Sequence, residues 1–146
     1  MPEHSVLAFD FGLARIGCAV GNKIIAVAHP ISTITGASNN EKFEKIEELI
    51  KTWQPETLVV GLPFHSNGEE SDIAPTVRRF ARRLHGRFRL PVSLVDERLS
   101  SVFAESLLKE AQVFGKKQKA VSDQVAAMAI LQTYFSGAIT ETINEK

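Results

Sequence analysis

Residues 6–17 read VLAFDFGLARIG, and the fold turns on how the carboxylate at the centre is understood. DFGLAR is also the spelling of the magnesium-binding segment of a protein kinase. A kinase carries a Gly-rich loop, a strand lysine and a catalytic loop well upstream of that segment, yet only nine residues precede Asp10. The kinase reading fails. What remains is physical: an apolar run over residues 6–9 with the character of a buried strand, closed by an acid and a glycine. An acid bordering a buried strand is costly without a partner, so Asp10 is expected to face a cation or a polar crevice.

Outward from this stretch, residues 16–20 and 24–28 read as two more strands, with Gly21 and Asn22 as the hairpin turn because both tolerate positive φ. Ser38 and Glu41 spell a capping box, and Phe43, Ile46, Leu49, Ile50 and Trp53 recur at helical spacing until Pro55 blocks continuation. TLVVG (57–61) is a short buried strand, followed by the loop LPFHSNGEES and a helix over about 73–85 that turns Val77, Phe80, Ala81 and Leu84 inward. PVSLV (91–95) is another strand, followed by DERLSS and a helix carrying Val102, Leu107 and Leu108. A closing helix is expected over 123–135 with Ser122 as its N-cap. Strands that alternate with helices after a meander imply parallel pairing through right-handed crossovers. The expected fold is α/β and ribonuclease H-like: a five-stranded mixed sheet, an antiparallel meander of three strands plus two parallel strands, with helices on both faces.

At 146 residues, 44% hydrophobic and 23% charged, the chain suits one domain over 1–146 with a sizeable core and leaves no room for a second. The N-terminus lacks a signal-peptide pattern, and no apolar run reaches the ~18 residues of a membrane span, so a cytoplasmic protein with no membrane partner is expected. The single cysteine, Cys18, sits among small apolar residues and reads as core. Lys plus Arg and Asp plus Glu both number 17, so net charge says nothing about a partner. Distribution does. Arg78, Arg79, Arg82, Arg83, Arg87 and Arg89 occur with His85 and no acid among them, whereas Glu41, Glu44, Glu47 and Glu48 collect elsewhere. Outward arginines usually form a solvated face, but these forgo the usual i,i+4 acidic partners. They offer charge to a phosphate backbone, the more so if the GKKQK segment (115–119) lies nearby.

Acids gather where this topology converges. Asp10 closes the first strand, Asp96 and Glu97 close the fifth, and Asp123 opens the final helix; ligands of open α/β sheets collect at the carboxyl ends of strands. Carboxylates brought together repel unless a cation joins them. Oxygen ligands suit Mg²⁺ or Mn²⁺, and two such ions ~3.5–4 Å apart serve phosphodiester cleavage. Each acid alone has a plainer reading: Asp123 as a favourable charge at a helix start, worth ~0.3–1 kcal/mol, and Asp96 and Glu97 as an exposed turn. The three together favour metal binding.

FDFGLARIG, VVGLP with NGEE after it, VDERLSS and SDQVAAMAIL occur in this order, and the set resembles the YqgF/RuvX family, the pre-16S rRNA nucleases also described as Holliday junction resolvases. The resemblance covers residues 5–135. It implies a ribonuclease H-like nuclease dependent on Mg²⁺ or Mn²⁺, acting in 5′-end maturation of small-subunit rRNA, with Asp10, Glu97 and Asp123 as metal ligands and catalytic residues. Two places depart from the family: Leu13, where Thr is frequent, and FHSNGEE, where a loop closer to LNMDGTE is frequent. Leu13 removes a hydroxyl that would touch phosphate.

Arg15 and Arg98 are substrate contacts by position, or else salt-bridge partners within the acidic cluster; Arg78, Arg79, Arg82 and Arg83 are the further substrate-binding candidates. His65 reads as a surface residue, and Gly61 and Gly68 as positions needing tight backbone geometry. The expected partner is nucleic acid, precursor rRNA or branched DNA, bound by a monomer or weak homodimer. Two other functions compete. A phosphotransferase of the actin and hexokinase type shares the phosphate-loop spelling but needs a second, similar domain. A non-catalytic assembly factor would keep the arginine face without needing all three acids.

Overall fold

The computed structural model describes residues 4–98 and 118–144, with the backbone alone over 118–122. The stretch around Asp10 is the middle of a six-stranded sheet. Its strands are β1 (Ser5–Phe11), β2 (Ile16–Asn22), β3 (Val27–Ile34), β4 (Thr57–Leu62), β5 (Val92–Asp96) and β6 (Ile139–Ile143), in the order β3-β2-β1-β4-β5-β6. The β1-β2-β3 meander is antiparallel, β4 and β5 run parallel to β1, and β6 returns antiparallel to β5. Helices α1 (Asn39–Trp53), α2 (Ala74–Phe88) and α3 (Gln118–Phe135) cover the two faces.

Alternation along β1 assigns the faces. Leu7 and Phe9 join one core with Phe43 and Ile46 of α1 and Val77, Phe80 and Leu84 of α2. Val6 and Ala8 join the other with Ala127, Ile130 and Leu131 of α3. Side chains two apart share a face, so Asp10 follows Val6 and Ala8 onto the α3 side. Cys18 is fully buried in the first core, where burial pushes its thiol up to about 12. α1 starts with one half of its capping box, Ser38 Oγ accepting from Glu41 N–H at 3.2 Å, while Glu41 Oε1 reaches one residue further back and accepts from Ala37 N–H at 2.7 Å.

Three expectations change, and one lies outside the described residues. The β2–β3 reversal lies over 23–26, because Asn22 Oδ1 accepts from Ile24 N–H at 2.7 Å and Asn22 O from Ala26 N–H at 2.7 Å. An Asx-type turn thus displaces the two-residue hairpin, leaves Ile24 and Ile25 exposed, and delays the third strand to Val27. A sixth strand, β6, adds to the five expected; it is an edge strand, and four of its five residues are exposed, so hydrophobic patterning did not mark it. Asp123 does not open the last helix, which already begins at Gln118, so the macrodipole reading of this acid loses its basis. The expected helix with Val102, Leu107 and Leu108 lies outside the described residues, as do Lys116 and Lys117 of the basic segment.

Candidate active site

Asp10 is flanked in the sheet by two glycines. It pairs with Gly17 of β2, and on its other side the β1–β4 ladder reaches Phe9 opposite Val60, so that Gly61 comes next. A Cβ on Gly17 would stand 2.0 Å from the backbone oxygen of Asp123, and one on Gly61 2.6 Å from Ile130 Cδ1 and 3.0 Å from Glu97 Cγ. Both glycines therefore serve close approach. The missing side chain at Gly17 lets α3 bring Asp123 down beside Asp10, and the one at Gly61 makes room for Glu97 from the end of β5.

There Asp10 has Glu97 as a hydrogen-bond partner and feels the charge of Asp123. Burial, first, pushes the Asp10 carboxyl up to about 9; a hydrogen bond with Glu97 and the charges of Glu97 and Asp123 push the same way. These effects favour the protonated form of the Asp10 carboxyl, with Glu97 as its hydrogen-bond partner. Arg15, from the loop between β1 and β2, donates Nε–H to Asp123 Oδ2 at 2.5 Å, and this pairing raises the guanidinium pKa. Among the described residues no three His, Cys, Asp or Glu side chains stand in a finished metal-binding arrangement. The donor set nonetheless suits a hard divalent cation: three convergent carboxyls, one kept neutral only by its neighbours' repulsion and its burial. Such a cation would take the place of the Asp10 proton.

Asp96 stands apart from this cluster. Arg98 holds it through Nη2 at 2.7 Å, Nε at 3.2 Å and its backbone N–H at 2.9 Å, which together keep the Asp96 carboxyl below its ordinary range. The same guanidinium lies 5.0 Å over the Phe64 ring. Of the two arginines placed near the acids by sequence, Arg15 enters the cluster and Arg98 braces the loop after β4. His65 is exposed in that loop, 3.8 Å from Asp72, and Gly68 turns it with φ +96°.

The α2 arginines divide. Arg78 is engaged by Glu70 on one side and by Glu141 of β6, at 3.0 Å, on the other. Arg79, Arg82 and Arg83 are exposed and have no ion-pair partner among the described residues; Arg83 rests 4.8 Å over the Phe43 ring. Gly17 is the functional position that sequence reasoning missed. Its signal was the glycine of ARIG, at the point of the second strand that faces Asp10.

A cavity of about 500 Å³ lies at the opposite end of the sheet, lined by Ser5, Asn22, Ile25, His29 and Trp53 among others, with no carboxylate among its lining residues. Size does not make it the reactive site; the acids lie elsewhere.

A family model described as "RuvX: Holliday junction resolvase" matches residues 4–137. The chain belongs to the RuvX family. A relative from Neisseria meningitidis serogroup C, named "Putative pre-16S rRNA nuclease", is 57% identical over 144 residues, covering 99% of this chain and 95% of the relative. Another of that name, from Methylobacillus flagellatus, is 55% identical over 143 residues, covering 94% of this chain and 98% of the relative. The solved structure of T. thermophilus RuvC in complex with a Holliday junction substrate matches with a TM-score of 0.59 at 15% identity, over 94% of this chain and 98% of the other. At that identity the likeness concerns the fold, which is ribonuclease H-like as the RuvX motifs implied.

Proposed function

We propose that this RuvX chain is a cytoplasmic, single-domain nuclease that hydrolyses phosphodiester bonds in structured nucleic acid, trimming the 5′ end of precursor 16S rRNA. Asp10, Glu97 and Asp123 are its catalytic acids. The observation that carries the reading is the placement of Asp10 between Gly17 and Gly61, with Asp123 and Glu97 seated over the two glycines. Scattered acids have no structural reason to converge on a buried strand end, where their repulsion destabilises the fold.

Mg²⁺ or Mn²⁺ would be held by Asp10, Glu97 and Asp123, and when bound would polarise the phosphoryl group and lower the pKa of a water. The chain's own residues prepare that site. Asp10 gives up the proton it shares with Glu97, so that both carboxylates present negative oxygens. Arg15 spends one of its five N–H donors on Asp123 and directs the others at the approaching phosphate. Arg79, Arg82 and Arg83 hold the backbone of the substrate beyond the site through charge, without reading sequence.

A Holliday junction resolvase is the second reading, favoured by the description of the matching family and by the RuvC likeness. Cleavage of a precursor rRNA and of a four-way DNA junction, each with Mg²⁺, Mn²⁺ or EDTA and with Asp10→Asn as contamination control, separates the two. Metal-dependent cleavage of the RNA that Asp10→Asn lacks is the expected result. Junction cleavage alone would select the second reading, and none on either substrate would leave a binding protein.

A further inference from the structure

On the other face of β1, one residue beyond Asp10, a small pocket of about 140 Å³ opens between α1 and α2, bordered by Phe11, Leu13, Lys42, Phe43, Arg79 and Arg83. We infer that it is a phosphate subsite for the nucleic-acid strand next to the bond cleaved at Asp10, an inference that rests on the nuclease reading above. Three cations border it and none of its lining residues is acidic. Arg79 and Arg83, four apart, share one face of α2, whereas Arg78 is drawn to Glu70 and Glu141 and Arg82 does not line the pocket.

The cations are positioned before any ligand arrives. Arg83 lies 4.8 Å over the Phe43 ring, a cation–π contact that helps hold it at the pocket. Lys42 donates to Leu13 O at 2.8 Å and keeps two further donors. The size decides the ligand: the volume holds a few waters and falls well below the ~300 Å³ of an ordinary small-molecule site, so a phosphodiester enters and a whole nucleoside stays outside. Leu13, 69% exposed at the rim, is the apolar surface against which that nucleoside rests. The Lys42 bond ties this rim to the loop that also carries Arg15. A strand crossing the end of β1 thus meets the acids on one side and the pocket on the other.

The test is binding in EDTA, so that it does not depend on cleavage. The probe is a fluorescein-labelled single-stranded RNA of about 12 nucleotides, within the span such surfaces cover, read by anisotropy across a salt series. Arg79→Ala/Arg83→Ala and Lys42→Met are each expected to lose about tenfold in affinity and to lower the log–log salt slope by ~0.7 per contact removed. Leu13→Ala is expected to weaken binding with the slope unchanged, since it removes apolar surface but no charge and adds no hydrogen-bond donor. Lys51→Ala, an exposed charge at the far end of α1, is the control and is expected to stay within about twofold. If the double variant loses no more than Lys51→Ala, or keeps the wild-type slope, the pocket is no phosphate site. Absence of metal-dependent cleavage with these losses intact would overturn the nuclease reading and leave the subsite standing.

Discussion

Asp10 carries the clearest consequence at the scale of a single residue. Its carboxyl is raised from 3.8 to about 9, chiefly by burial. Below about pH 4 folded and unfolded chains both hold the proton and nothing is lost; between about 4 and 9 only the folded chain holds it, so stability falls as pH rises, and above 9 the loss is complete. In EDTA, wild type is therefore expected to melt lower at pH 8 than at pH 5, and Asp10→Asn to flatten that slope and to gain ~0.5–2 kcal/mol at pH 8. Parallel pH slopes for the two proteins would show that the burial of Asp10 has been misjudged. This residue was legible in the sequence because a lone acid interrupts an apolar run. Glu97 was not separable from Asp96 by residues alone: adjacent acids at a strand end look alike, and it is the end of β5 at Asp96, with the chain turning helical at Glu97, that gives one to Arg98 and the other to Asp10. Only the family resemblance chose between them. Arg15 was named with two roles, and it takes the salt bridge within the cluster.

At the scale of the elements, the docking of α3 on the sheet builds the site, and two glycines set its height. Gly17→Ala would press a methyl group onto backbone, 2.0 Å from Asp123 O, so α3 must lift; a loss of ~1–3 kcal/mol is expected, with cleavage falling further because Asp123 moves. Gly61→Ala meets the tip of Ile130 at 2.6 Å, a side chain that can be trimmed, so adding Ile130→Ala is expected to recover part of the loss at Gly61 and none at Gly17. Urea midpoints of the single and double variants check this; equal recovery at both positions would contradict the packing described. Helices α1 and α2 were legible from their apolar stripes, and α1 also from its Ser38 cap; α2 starts at Ile73 without a side-chain cap. The third strand was displaced because the side chain of Asn22 makes its own turn, a competition that a Gly-Asn spelling conceals. β6 escaped notice because an edge strand with both faces largely wet has little apolar alternation, and its partners, Ser93 opposite Thr142 and Arg78 with Glu141, are distant in sequence.

Across the whole molecule, balanced charge of 17 against 17 conceals a division of labour. The acids that converge lie on the α3 side of the central strand and the unpaired arginines on the α2 side, with the end of β1 between them. The antiparallel meander and the parallel strands after it were legible from the alternation of elements, whereas the spatial order, with β4 between β1 and β5, was not. What composition could not give was the depth of the acidic site, since burial of Asp10 depends on glycines in neighbouring strands. The three acids are proposed to form a cation site in which, without the cation, a proton on Asp10 relieves part of the repulsion from Glu97 and Asp123. Calorimetric titration with Mn²⁺ at pH 7, in buffers of different ionisation enthalpy, tests it most directly. Release of about one proton on binding to wild type is expected, with Asp10→Asn binding far more weakly and releasing none. Binding by wild type without proton release, or equal affinity in Asp10→Asn, would contradict it.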